Sequence, residues 1–185
     1  MSGSETVDYS ELAIRLKNRT IETERLVIRP YCERDEDGLF ELFHDEHTMY
    51  MDGDRPIHEK NAEFVRRIGL IRNGPLIWFF AEEKATSGFV GYVMLQDEKD
   101  AVALGFALTA AKQHMGYGSE IIGSVVNILF ENGVHEIRIK TWERNLPCQR
   151  LAEKLGFEKA AVIQGDHRDP VTGETSNSFL YSKSN

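Results

Sequence analysis

Residues 110–121 read AAKQHMGYGSEI. An apolar run, AVALGFAL (101–108), precedes them. After them, Ile121, Ile122, Val125, Val126, Leu129 and Phe130 fall on one helical face, and Asn132–Gly133 supplies a stop. The first run reads as a central strand and the second as a helix. Gly116 and Gly118 therefore stand where a strand turns into a helix. A helix N-terminus has N–H groups without partners and a partial positive charge. Glycine lets a phosphate come close, because no Cβ stands in the way. A phosphorylated ligand fits that position, although a plain strand-to-helix turn has the same outline. A Rossmann dinucleotide site wants a third glycine where Ile121 stands, and a nucleotide P-loop wants Gly-Lys-Ser/Thr; neither is present.

Outward from this point, the elements fall into a simple order. DYSELAIRLKN (8–18) reads as a short amphipathic helix, so residues 1–20 form an N-terminal extension and 21–185 the domain. RLVIRP (25–30) is a strand closed by Pro30. Asp35 is placed to cap a helix carrying Leu39, Phe40 and Phe43. HTMYMDGDRP (47–56) reads as a turn-rich loop, and His58–Ile71 as a second helix. LIWFFAEE (76–83) and GFVGYVMLQ (88–96) form a hairpin before the 101–108 strand. Downstream, EIRIKT (136–141) is a strand. Residues 147–155 form a helix with Pro147 in its first turn and Gly156 beyond its end. FEKAAVI (157–163) and SNSFLYS (176–182) close the chain as strands around a polar loop. The order is β-α-α-β-β-β-α-β-α-β-β. It predicts an α+β fold, a single domain with a mixed central β-sheet flanked by helices.

The net charge of -8 argues against nucleic acid as a partner, since phosphate backbones want clustered Lys and Arg. No apolar stretch reaches membrane-spanning length. Two cysteines, Cys32 and Cys148, make no disulfide framework and read as free thiols in a cytoplasmic protein.

The stretch Gln113-His114-Met115-Gly116-Tyr117-Gly118, with Ser119 following, resembles the Q/R-x-x-G-x-G/A signature of the GNAT superfamily of acetyl-CoA-dependent N-acetyltransferases. A second feature agrees: Asn145 after the next strand, then a helix ending in Leu155-Gly156-Phe157. The TERLVIRP opening (23–30) and the paired early helices resemble the branch that includes the ribosomal-protein N-terminal acetyltransferases.

The resemblance implies roles. Backbone groups of Phe106, Ala107 and Leu108 would pair with the pantetheine arm of acetyl-CoA, where the family's central strands splay. The N–H groups of residues 114–119, behind Gln113, would hold the diphosphate: His114, Met115, Gly116, Tyr117, Gly118 and Ser119. Asn145 would hydrogen-bond the arm; as a bare residue it equally reads as a helix cap. Transfer would be direct, from thioester to a primary amine on a small molecule or a protein N-terminus, with no metal, by a monomer or homodimer. Such a reaction needs a base for the ammonium, a donor for the oxyanion and a donor for the leaving thiolate.

The tyrosine that many relatives use for the last task is replaced by Ala152; the resemblance to the nearer branch, where a Ser three residues after the Asn is a candidate donor, implies Cys148 for that role. Glu83 and Glu143, at strand ends, are candidate bases, with Glu82 beside the first. Asp52 and Asp54 are placed to contact a cationic acceptor. His44 and His47 lack the partners that a metal site needs. The missing tyrosine also admits a non-catalytic acyl-CoA-binding or regulatory module.

Overall fold

Residues 8–185 are described by the computed structural model; residues 1–7 of the expected extension lie outside them. The strands are β1 (Ile21–Glu22), β2 (Leu26–Arg29), β3 (Ile77–Glu83), β4 (Phe89–Asp97), β5 (Val102–Leu108), β6 (Glu136–Trp142), β7 (Glu158–Arg168) and β8 (Thr175–Ser184). They form one sheet in the order β1-β2-β3-β4-β5-β6-β8-β7. The helices are α1 (Tyr9–Leu16), α2 (Asp35–His44), α3 (Glu46–Asp52), α4 (Ala62–Asn73), α5 (Tyr117–Glu131) and α6 (Leu146–Lys154). The architecture is the expected α+β single domain with a mixed sheet.

Strand alternation sorts the core into two layers. On β3, Phe79 and Ala81 pack into one cluster with Leu12 and Leu16 of α1 and Ile121 and Val125 of α5. Phe80, between them in sequence, packs on the other face against Leu39 and Leu42 of α2 and Phe64 and Ile68 of α4. Each large apolar side chain so buried contributes about 1.5–3 kcal/mol, and a slip of one residue in register would send each set to the opposite face, where the packing does not fit it.

All neighbouring strands run antiparallel except β5 and β6. Those two run parallel because α5 carries the chain back across the sheet between them. Their pairing covers only Val102–Leu104 against Ile137–Ile139. Beyond it, β5 stays on β4 as far as Leu108, and β6 stays on β8 as far as Trp142. The sheet is therefore split at its centre.

Gly91 holds β4 tightly to β5 beside the split. A Cβ there would strike the Ala107 carbonyl oxygen and lie 2.8 Å from Leu108 Cα. Both obstacles are backbone, so Gly91→Ala must push the strands apart. Overpacking of that kind costs roughly 1–3 kcal/mol, which thermal unfolding will read as a drop of several degrees.

Three local expectations change. The stretch 47–56 is not all loop: α3 occupies its first half, capped by Asp45, whose carboxylate accepts the Thr48 N–H at 2.7 Å. Asp35 is not a cap. It is the first residue of α2, buried, and accepts two bonds from Arg29 (2.9 and 2.8 Å) and the Cys32 N–H. The last two strands run longer than predicted and leave only 169–174 as their loop. That extension carries Asp166, His167 and Arg168 on β7.

Candidate functional site

The split opens into a cleft of about 690 Å³, which Phe106, Ala107 and Leu108 line from β5, and Thr141 and Trp142 from β6. That volume suits a sizeable organic ligand. His114, Gly116, Gly118 and Ser119 line it from the start of α5; Asn145, Cys148, Arg150 and Lys154 from α6. Arg150 and Lys154 have no ion-pair partner among the described residues.

The glycine turn is built as an anion cradle. Gly116 takes a left-handed conformation, φ 84°, and so does His114, φ 59°. The first amide at the mouth of α5 with a backbone partner is that of Glu120, which bonds to the Gly116 carbonyl. Those of residues 114–119 have none among the described residues. Successive N–H groups in such a turn make a concave anion site.

Side chains behind the turn fix it. Arg25 donates to the Met115 carbonyl (3.0 Å), pairs with Glu120 (2.6 Å) and lies 4.2 Å from the Tyr117 ring centroid. The Tyr117 hydroxyl donates to Glu83, and Lys112 pairs with Glu83 at 2.7 Å.

Those bonds hold Glu83 behind the turn. Lys112 first, then Tyr117 and Thr86, hold its carboxyl down at about 2. It does not line the cleft, and so acidic a group is a poor proton acceptor. Glu82 is likewise taken up by Arg29 and Arg34, at 2.5 and 2.7 Å. Glu143 is also off the cleft wall; its backbone carbonyl accepts from Gln149 at 2.8 Å. Neither carboxylate expected as a base lines the cleft, whereas Asp52, read from sequence as a contact for a cationic acceptor, does.

Asp52 ends α3 and faces the cleft. Its side chain is exposed to solvent, with protein atoms crowded around it at the cleft wall. Enclosure raises its carboxyl to about 6; Asp54 raises it further and Arg67 opposes. Cys148 stands on the α6 wall. Burial pushes its thiol up to about 11, a hydrogen bond with Thr141 opposes, and Asp52 adds to the rise. Asn145 caps α6, accepting the Cys148 N–H at 3.2 Å, and its amide donates to the Met51 carbonyl at 3.2 Å. Gln113 spends its side-chain amide on Thr48 (3.0 Å) and the Leu108 carbonyl (3.1 Å).

These last bonds fasten α3 across the end of the split. Tyr50 adds a bond to Asp169 at 2.7 Å, and the His167 ring packs against Gly53, so close that a Cβ there would lie 2.8 Å from it. His167 stacks on Trp142 with centroids 4.4 Å apart. None of Trp142, His167 or Asp166 was singled out from sequence as a site residue, because their meeting depends on the full length of β7. His44 is turned to the Ile57 carbonyl at 3.2 Å, whereas His47 lines the cleft.

A family model described as "Acetyltransferase (GNAT) domain" matches residues 25–158. An uncharacterized N-acetyltransferase of Bacillus subtilis, YoaA, is 25% identical over 151 residues, covering 78% of this chain and 85% of its own. Among solved structures, an acetyltransferase (GNAT family) from Bacillus anthracis superposes with a TM-score of 0.78 at 20% identity, over 90% of this chain and 98% of that one. A spermidine N-acetyltransferase from Vibrio cholerae, in complex with CoA and spermine, gives 0.74 at 14% identity, over 88% and 96%. At such identities the two structures speak for the fold.

Proposed function

The chain belongs to the acetyltransferase (GNAT) family of N-acetyltransferases, and from that premise we propose that it moves the acetyl group of acetyl-CoA directly onto a primary amine. One observation carries the reading: a split between β5 and β6 that leads to a run of unpartnered amides at the mouth of α5. Both halves fit the coenzyme. The β6-facing edge of β5 at Phe106, Ala107 and Leu108, unpaired past Leu104, offers a strand edge to the pantetheine arm, with the Leu108 carbonyl already accepting from Gln113. The amides of residues 114–119 offer donors to the diphosphate, with no side chain at Gly116 or Gly118 in between. Asn145 contributes as the α6 cap beside the cleft. Acetyl-CoA supplies an activated thioester; the chain supplies orientation and proton handling.

In this reading Asp52 is the proton acceptor and also draws the cationic amine in. Whatever the base, an α-ammonium near ~8 gives up its proton more readily than an alkylammonium near ~10. That difference favours a protein or peptide N-terminus over an alkyl amine such as spermine in the deprotonation step. It agrees with the sequence resemblance to the ribosomal-protein branch. Both cysteines are free, which fits the reducing cytosol.

Cys148 is the hydrogen-bond donor to the thioester sulfur. A thiol at about 11 is a weaker acid than an ordinary thiol near ~8.5, so it stabilises a departing thiolate without giving up its proton outright. The same burial disfavours a covalent acyl-cysteine route. Cys148→Ala is expected to lower kcat by roughly tenfold and leave the Kd for coenzyme A within about twofold, a size typical of a lost hydrogen bond to charge. Unchanged kcat would assign the sulfur's donor to water.

Thiol release from acetyl-CoA, followed with an alanyl peptide, a lysine side-chain analogue and spermine, tests the function. Turnover with the peptide preferred is the expected result. Coenzyme binding with no turnover across the panel would instead support a non-catalytic acyl-CoA-binding module, which the tyrosine replaced by Ala152 first admitted.

A further inference from the structure

Asp52, the last residue of α3, and Asp54, on the turn after it, stand two residues apart yet are treated differently. Among the described residues, the Asp52 carboxylate has no hydrogen-bond or ion-pair partner. Asp54 is held by Arg67 of α4 at 3.0 Å. The same guanidinium pairs with Glu63 at 3.1 Å and donates to the Arg55 carbonyl at 3.4 Å. It also lies 5.2 Å from the Phe43 ring centroid, and only 14% of its side chain is exposed. An exposed ion pair would contribute little. A guanidinium this enclosed, with one terminal nitrogen on both Asp54 and the Arg55 carbonyl, its Nε on Glu63 and a ring beneath it, fixes the atoms it touches.

We propose that Arg67 is a positioning residue, which pins the turn from Asp52 to Arg55 so that Asp52 stays free and aimed into the cleft. The proposal rests on the assignment of Asp52 as proton acceptor. Its chemistry is a division of labour. Arg67 neutralises Asp54, which would otherwise repel charge on Asp52, and the fork to the Arg55 carbonyl fixes the backbone between them. The other groups that face Asp52 are the Tyr92 phenol of β4 and the Cys148 thiol of α6, and the His167 ring of β7 covers the adjacent Gly53. None of these three carries positive charge as placed: the phenol is raised by burial, the thiol is raised by burial, and burial lowers His167 below the usual imidazole range. Arg67 is therefore the cation that opposes the larger upward pull of burial and Asp54 on the Asp52 carboxyl.

Carboxyl-carbon NMR of the intact protein reads this without an acceptor, with the Asp52 signal assigned by its loss in Asp52→Asn. Arg67→Met is expected to raise the Asp52 titration by about one unit, and Asp54→Asn to lower it by a similar amount. Arg67→Lys keeps the charge but not the fork, so its titration should stay near the native value. Alanyl-peptide acetylation by Arg67→Lys and Arg67→Met should fall tenfold or more, the usual scale for a misplaced catalytic group, with the Kd for coenzyme A unchanged. Should Arg67→Met not fold, Arg67→Lys and Asp54→Asn decide. An Asp52 titration that ignores both the Asp54 and Arg67 changes overturns the proposal. So does a shifted titration with native turnover. Native turnover by Asp52→Asn is a separate result, which removes the base assignment and leaves the titrations to report on the turn.

Discussion

Asp52→Asn is expected to lower kcat for peptide acetylation by roughly 10²–10⁴ at pH 8, the range for loss of a general base, with coenzyme A binding unchanged. The asparagine keeps the shape of the side chain and removes only its ability to take a proton. The pH profile follows from the sign of the shift. Asp52 titrates at about 6, so the native rate should fall tenfold per unit below that pH, and the variant should lack this limb. Stability should move the other way. The folded-state value lies above the unfolded one near ~3.9, so the folded protein binds this proton more tightly. The ionised carboxylate therefore costs stability in full above about pH 6, and the cost vanishes below roughly pH 4, where both states are protonated. Asp52→Asn should raise Tm at pH 8 and not at pH 3.5. A gain in stability with loss of rate marks a group kept for chemistry. A variant with native kcat would remove Asp52 from the reaction.

The parts of the fold that were readable in the sequence are those that local rules fix. A strand, two glycines and a long amphipathic run determine β5, the turn and α5 from one stretch of chain. Asn145 with Pro147, and Gly156 nine residues on, bound α6 in the same way. The end of the cleft around Asp52, and the surroundings of Glu83, were less readable because their contacts span the chain. Glu83 loses its basicity to Lys112 and Tyr117, partners 29 and 34 residues away, which no spacing rule connects. Helix α3 is only seven residues long and carries no apolar periodicity, so a turn-rich reading prevailed. Its caps were nonetheless present: Asp45 with Thr48 at the start and Gly53, in the left-handed region, at the end. Reading that pair of caps would have put Asp52 at the tip of a helix. It would not have aimed Asp52 into the cleft, since Arg67 and the packing of Gly53 on His167 do that.

Gly116→Val is expected to raise the Kd for coenzyme A at least about a hundredfold, the equivalent of losing one or two hydrogen bonds to a charged group. The backbone at this position sits at φ 84°, a region that costs an L-residue about 1–2 kcal/mol, and more for one branched at Cβ. The chain can relieve that strain only by rotating the peptide groups on either side. Those are the groups whose N–H bonds would hold the diphosphate in the proposed function. Rotation is opposed on the other side by Arg25, whose guanidinium nitrogen lies 3.4 Å from where the new Cβ would stand. Arg25 cannot yield cheaply, because Glu120, the Met115 carbonyl and the Tyr117 ring all hold it. Local strain thus falls on the cradle, while the buried face of α5 remains packed, and unfolding should shift by only a few degrees. Pantetheine, which has the arm without the diphosphate, separates the two effects. It should bind the native and Gly116→Val proteins alike if the loss is confined to the amides. Calorimetry that finds native coenzyme A affinity in the folded variant would mean that the diphosphate is held elsewhere, and Arg150 and Lys154 of α6 would then be the groups to examine.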